Sequence, residues 1–227
     1  GGRSVSGSYP LAARSYLLEN KSANGKIIFE DVTNTVPSLM EPGMISAAEW
    51  ADLDGDKFPE LIIGGDWTPV KLFKNNNGKL SEITKEAGLG ATSGMWSSIT
   101  VADYDGDGNP DIIGGNTGTN LQFKASLEKP MEVFVTDIDN NGRIDPLVCY
   151  DIQGKSYPIA SRDELLEQVT PMRKKFGYYK DYADATVDNI LSKPALKNAK
   201  HLICETLKTS VLINDGKLHF TIKELPS

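Results

Sequence analysis

Apolar and polar residues alternate in short runs along most of the chain. Ile99 and Val101 alternate with Ser98 and Thr100, the period-two signature of a half-buried strand. A second, more apolar strand follows each acidic stretch: Leu61 to Ile63, Ile112 to Ile113, and Pro146 to Val148. Third strands end in turns such as Asn75 to Gly78, which suit a hairpin into a fourth strand. The pattern predicts units of four short strands.

The units repeat. Residues 44–65 align with 95–115, with Met44 and Met95 51 positions apart, as are Asp52 and Asp103. The tail from Val70 to Asn75 followed by Gly78 to Thr84 matches two others: Ser15 to Asn20 with Gly25 to Thr33, and Thr209 to Asn214 with Gly216 to Thr221. Four-stranded units of this length stacked side by side are the pattern of propeller blades. The expected units are a partial blade at 1–34, a blade at 35–90, a short or irregular blade at 91–130, and a blade made of 131–160 plus 209–227. Only 34 residues separate Asp103 from Asp137, so 116–130 is read as a shortened blade or a loop. An insertion at 161–208 carries helix signals. Ser161 and Glu164 fit a capping box before Leu165 and Leu166, Thr170 and Pro171 an N-cap with a first-turn proline, Gly177 a stop, and Ser192 with Pro194 a further start. Gly1-Gly2 resembles Gly64-Gly65 and Gly114-Gly115. On that likeness the first unit lacks a first strand and an acidic loop, and the reading expects further blades of a longer chain, or association through open ends.

Three acidic loops share one frame. Positions 1, 3, 5 and 9 are Asp52, Asp54, Asp56 and Glu60 in the first loop. They are Asp103, Asp105, Asp107 and Asp111 in the second, and Asp137, Asp139, Asn141 and Asp145 in the third. Position 7, held by Phe58, Asn109 and Arg143, varies in type, as expected if it offers only its main-chain carbonyl. Glycine lies inside each loop at Gly55, at Gly106 and Gly108, and at Gly142. Alternating carboxylates on a curled loop suit calcium, a hard cation that takes six to eight oxygens in flexible geometry; magnesium is stricter. Position 12 is Ile63, Gly114 and Val148, so the EF-hand glutamate is absent. About three calcium sites are expected. The fold class is therefore all-β: a partial propeller of four-stranded blades with calcium-binding hairpin loops and a small α-helical insertion.

The formal net charge of −7 argues against a nucleic-acid partner, which needs a basic surface. Arg173, Lys174 and Lys175 read as a solvated helix face. No apolar run is long enough for a transmembrane segment. Two cysteines, Cys149 and Cys204, and two histidines, His201 and His219, leave little room for a zinc site or a Cys/His catalytic pair. The cysteines either pair with each other or stay as buried thiols. Trp50, Trp67 and Trp96 read as core.

The acidic hairpins resemble FG-GAP/VCBS repeats, the blades of integrin α-like β-propellers. The order of elements, with residues 157–191 after a third acidic loop, is similar to that of bacterial secreted proteins of the ASPIC/UnbV-associated VCBS group. Lys57, where that family usually has glycine, and the short third unit are departures. The resemblance implies a calcium-stabilised, extracellular, cell-surface or periplasmic propeller that binds a protein or glycan ligand and performs no catalysis.

Two functions follow as expectations. The first is a non-catalytic binding or scaffold module. The second is a propeller-type polysaccharide lyase or hydrolase, which would need an acid/base carboxylate pair away from the loops; no GxSxG, HExxH or phosphate-loop motif is present. Phe176, Tyr178, Tyr179 and Tyr182 either offer a sugar-stacking platform or pack the inserted helices onto the blades.

Overall fold

The computed structural model describes residues 1–226. The chain is mostly β, and its largest element is a curled eight-stranded sheet built from two four-stranded units. The first unit contains β3 (Met44–Ala51), β4 (Glu60–Thr68), β5 (Lys71–Asn76) and β6 (Lys79–Glu82), each antiparallel to the next. The second contains β7 (Gly94–Ala102), β8 (Asp111–Asn116), β13 (Ser210–Asn214) and β14 (Phe220–Glu224). Pairing of Asp66 with Met95 and of Thr68 with Gly94 joins the two. A short hairpin precedes them, β1 (Leu18–Asn20) on β2 (Phe29–Asp31). It leaves Leu18, Ile27, Ile28 and Phe29 exposed.

This pairing regroups the units expected from the sequence. The C-terminal hairpin does not complete a blade with 131–160. Ser210, Val211 and Leu212 lie opposite Gly114, Ile113 and Ile112, so the hairpin closes the blade that begins at β7. Between β8 and β13 the chain builds a separate four-stranded sheet in the order β11-β10-β9-β12. Its strands are β9 (Met131–Thr136), β10 (Asp145–Ile152), β11 (Lys155–Pro158) and β12 (Lys200–Cys204). The physical reason is edge occupancy. The turn at Gln153 (φ 52°) and Gly154 (φ 80°) folds β11 directly onto β10, and β12 covers β9. Both partners are taken, while β8 offers a free edge. The nominally short third unit is thus a complete four-stranded unit interrupted by a long insertion.

The region expected to be helical, 161–208, is helical only in part, because Lys200–Cys204 is a strand. Its helices are α1 (Arg162–Gln168), α2 (Tyr179–Tyr182), α3 (Val187–Ile190) and α4 (Lys193–Asn198). The Ser161 capping box forms: Glu164 N–H donates to Ser161 Oγ (3.4 Å) and Ser161 N–H to Glu164 Oε2 (2.7 Å). Ser192 caps α4. Thr170 does not act as a cap but lies inside a 3₁₀ turn, Thr170–Lys174.

The main core lies between the two blades and contains Leu53, Ile62, Leu72, Leu89, Trp96, Ile112, Leu212 and Phe220. Two glycines allow close approaches here, Gly65 between β3 and β4 and Gly114 in the core itself. A Cβ on Gly65 would stand 2.0 Å from the Met44 carbonyl oxygen, and one on Gly114 would stand 2.7 Å from the Trp96 ring. The register of β3 against β4 shifts between Ile45 and Ala47, and that of β7 against β8 between Trp96 and Ser98. The two bulges thus fall at equivalent places in the repeat. Trp67 and Trp96 are buried, but Trp50 is 46% exposed, a correction to the expectation of three core tryptophans. Trp50 borders the open cleft between the β1–β2 hairpin and the β5–β6 turn. Cys149 and Cys204 are buried free thiols. They sit on β10 and β12, either side of β9, so about two strand spacings, roughly 9.6 Å, separate them. That is beyond disulfide reach. Burial pushes both thiols up to about 12.

Candidate metal centres

Each acidic loop curls by placing positions 4 and 6 in the left-handed region. These are Gly55 (φ 77°) and Lys57 (φ 74°), Gly106 (81°) and Gly108 (91°), and Asn140 (58°) and Gly142 (84°). Glycine and asparagine enter that region at little cost; lysine does so with about 1–2 kcal/mol of strain. The curl aims main-chain N–H groups at the position 1 carboxylate. Asp52 accepts from Gly55 (2.8 Å) and Lys57 (2.9 Å). Asp103 accepts from Gly106 (2.8 Å) and Gly108 (3.0 Å). Asp137 accepts from Asn141 (3.0 Å) and Gly142 (2.7 Å). Because Lys57 stands where the repeat prefers glycine, Lys57→Gly should stabilise the fold by about 0.5–1 kcal/mol, the relieved strain less the added freedom of the unfolded chain. Urea denaturation measures this, and a loss of stability would contradict it.

Position 9 is the buried anchor. Glu60 and Asp111 are fully buried and Asp145 is 3% exposed. One oxygen of each accepts the N–H of position 2 at 2.9 Å, from Leu53, Tyr104 and Ile138 respectively. In the two blades the other oxygen reaches the third strand: Asn75 N–H donates to Glu60 Oε1 (3.4 Å) and Asn214 N–H to Asp111 Oδ1 (2.8 Å). Asn214 Nδ2 also donates to the Leu53 carbonyl (2.7 Å), which ties the first loop to the second. The third loop lacks this brace, since the pairing of β11 covers only Cys149 to Ile152 of β10.

Carboxylates of positions 1, 3 and 9 converge in every loop. One ligand oxygen from each of Asp52, Asp54 and Glu60 lies within 4.8 Å of the others, and the same holds for Asp103, Asp105 and Asp111 and for Asp137, Asp139 and Asp145. Position 5 is not in these groups. Asp56, Asp107 and Asn141 instead accept the N–H of position 7, from Phe58 (2.8 Å), Asn109 (2.7 Å) and Arg143 (2.8 Å). Asn141 in place of an aspartate therefore removes no member of the third group.

Sequence reading missed one participant, Lys74. Its ammonium lies 2.5 Å from Asp54 Oδ2, 2.6 Å from Asp56 Oδ2 and 3.3 Å from Glu60 Oε1. Burial disfavours its charge, but hydrogen bonds to Asp54 and Asp56 and the field of Glu60 prevail and hold it above the usual lysine range. The hydrogen bond from Lys74, helped by the Phe58 N–H, holds Asp56 below the usual carboxylate range. The signal in the sequence is its place one residue before Asn75, where the matching tail has Ile213 before Asn214. Among the described residues no ion pair reaches the second or third group. There, burial raises Asp145, its bond from the Ile138 N–H opposes this, and the charges of Asp139 and Asp137 raise it further. Asp139 Oδ1 is a buried oxygen with no hydrogen-bond partner among the described residues. An all-oxygen donor set with an orphaned oxygen fits a hard divalent cation.

Of the four aromatic residues considered for a sugar platform, Phe176 is buried and meets Tyr182 edge-on at 5.3 Å. Only Tyr178 and Tyr179 are well exposed. The Tyr179 hydroxyl donates to Asp163 at 2.5 Å. The four rings therefore do not share one open face.

Residues 52–114 match the FG-GAP-like repeat family model. The match covers the first two acidic loops and the strands from β4 to the body of β8. It supports the FG-GAP repeat resemblance and a propeller-like module; the curled sheet agrees with both. Searches of curated proteins and of solved structures gave no match.

Proposed function

We propose that this chain is a calcium-stabilised, non-catalytic propeller module of a secreted, cell-surface or periplasmic protein, presenting its blades to a protein or glycan ligand. The observation that carries the reading is the threefold convergence of carboxylates at positions 1, 3 and 9, with position 9 buried each time. Such groups repel one another when empty and are favourable when filled. Calcium modules of external fluids hold their ion with Kd of about 10⁻⁴–10⁻³ M, which millimolar calcium fills and cytosolic calcium does not. FG-GAP repeats commonly occur in extracellular and generally non-catalytic proteins. The exposed apolar residues of the β1–β2 hairpin are a surface that further blades or a second chain would cover.

A polysaccharide-cleaving site has less support. Of the three carboxylates that line the 490 Å³ cleft beside the second blade, Glu128, Glu205 and Glu224, two are committed to structural partners, which leaves Glu128 without a free carboxylate to complete an acid/base pair. Glu205 accepts the Ser93 N–H at 3.2 Å, and Glu224 pairs with Lys208 at 2.5 Å.

Scanning calorimetry in millimolar calcium and in EDTA tests the calcium reading. A cation that binds only the folded state stabilises by about 2.7 kcal/mol per site at a hundredfold excess over Kd, so chelation should lower Tm by well over 5 °C. An unchanged Tm would reduce the loops to polar turns. Glycan-array and pull-down binding, each repeated in EDTA, tests the ligand role, and catalytic turnover of a polysaccharide would overturn it.

A further inference from the structure

We infer that the first acidic loop carries its own cation, the Lys74 ammonium, so that the chain binds two calcium ions and not three. The inference rests on the calcium reading for the other two loops and deepens it.

The three loops share a backbone frame and a ligand triad, so the difference between them comes from what faces each triad. In the first blade, Leu61 pairs with Phe73, which sets Lys74 one step further along, opposite Glu60. From there its ammonium reaches carboxylates at positions 3, 5 and 9, at 2.5, 2.6 and 3.3 Å. These oxygens come from three points around the loop, and the side chain that enters among them is only 16% exposed. A lysine held this way supplies positive charge and three donors where a metal would supply charge and an open coordination sphere. A calcium ion at the same place would compete with the ammonium for Asp54 and Glu60 and would stand against its positive charge at close range, which favours the lysine already covalently held there.

The second blade provides an internal control. Asn214 repeats the role of Asn75: each donates its main-chain N–H to the buried position 9 carboxylate and its side-chain amide to the carbonyl of the preceding proline, at 2.9 Å to Pro59 and 3.0 Å to Pro110. The residue facing the second triad is then Ile213, which brings no charge. Among the described residues the third triad has no such strand beside it and keeps the orphaned oxygen of Asp139. Two loops therefore call for an external cation, and one does not. The first loop would keep its shape in low calcium while the others loosen.

The test counts ions. Crystals grown in calcium should show two anomalous peaks, at the second and third loops, and radiocalcium equilibrium dialysis should give two ions per chain. Lys74→Gln should gain a third ion, at the first loop, and should lose more stability in EDTA than in calcium. The reciprocal change, Ile213→Lys, should lower the count to one. Three ions in the unchanged protein would overturn the inference and leave the calcium reading standing. No ion in either the unchanged protein or the variants would take down the calcium reading itself. If Lys74→Gln folded but still bound two ions, the lysine would not be what keeps calcium out, and the inference would fail. If that variant did not fold in any buffer, the Ile213→Lys count would decide: one ion supports the inference, two overturn it.

Discussion

Asp111→Ala is expected to be the most damaging single change at the acidic loops, costing about 4–7 kcal/mol in calcium and about 2–4 in EDTA. Asp111 is fully buried. It accepts the N–H groups of Tyr104 and Asn214 at 2.9 and 2.8 Å, and its removal strands both. A buried donor left without a partner costs about 1–3 kcal/mol. On the proposed calcium reading the variant also forfeits, in calcium, the linkage stabilisation of the second loop, about 2.7 kcal/mol at a hundredfold excess of ion. Because the Asn214 N–H belongs to β13, the damage should spread to the C-terminal hairpin, and amide exchange should accelerate in residues 210–224. Urea denaturation in both buffers separates the two contributions. An equal loss in calcium and in EDTA would mean that Asp111 is only a brace, and a loss below 1 kcal/mol in both would contradict the burial itself.

Trp96→Ala should cost about 3–5 kcal/mol, the usual range for deleting a large buried aromatic side chain. Trp96 is 1% exposed, its Nε1–H donates to the Thr92 carbonyl at 2.9 Å, and its ring packs against Gly114 so closely that a Cβ there would stand 2.7 Å away. Removing the ring opens a cavity between the two blades. Trp50→Ala, at a side chain 46% exposed, should cost under 1 kcal/mol. Denaturation of the two variants side by side is decisive: equal costs would contradict the packing between the blades.

Local signals carried most of what the sequence could tell. The 51-residue spacing of Asp52 and Asp103 located both loops, because a curled loop needs its carboxylates and left-handed positions in fixed order. The capping box at Ser161 was legible for the same reason, since its hydrogen bonds close within four residues. Pairing was not legible. The tail from Thr209 to Thr221 was recognisable as the outer half of a blade, but its partner, β8, lies about a hundred residues back, and nothing local distinguishes that edge from β10. Lys200–Cys204 was taken as part of the helical segment because its strand identity comes from lying against β9. Trp50 looked like core because a tryptophan in a strand usually is; its exposure depends on what packs across from β3. Lys74 escaped notice because the carboxylates that surround it precede it by 14 to 20 positions and meet it only across β4 and β5.

The nesting of a whole sheet inside the second blade sets an order of events for a chain emerging residue by residue. The first blade, from β3 to β6, is contiguous and can close as soon as it is made. The second cannot. Its β8 edge stays open while the inserted sheet and helices are produced, and the long loop between β8 and β13 makes its closure entropically late. During that interval Ile112 has no Leu212 beside it and Asp111 has no N–H from Asn214, so the second acidic loop is assembled without its outer support. An unpaired strand edge next to an apolar face is the kind of surface on which nascent chains associate wrongly. The last hairpin to appear is therefore also the lock, covering the strand edge and bracing the buried carboxylate in one docking step.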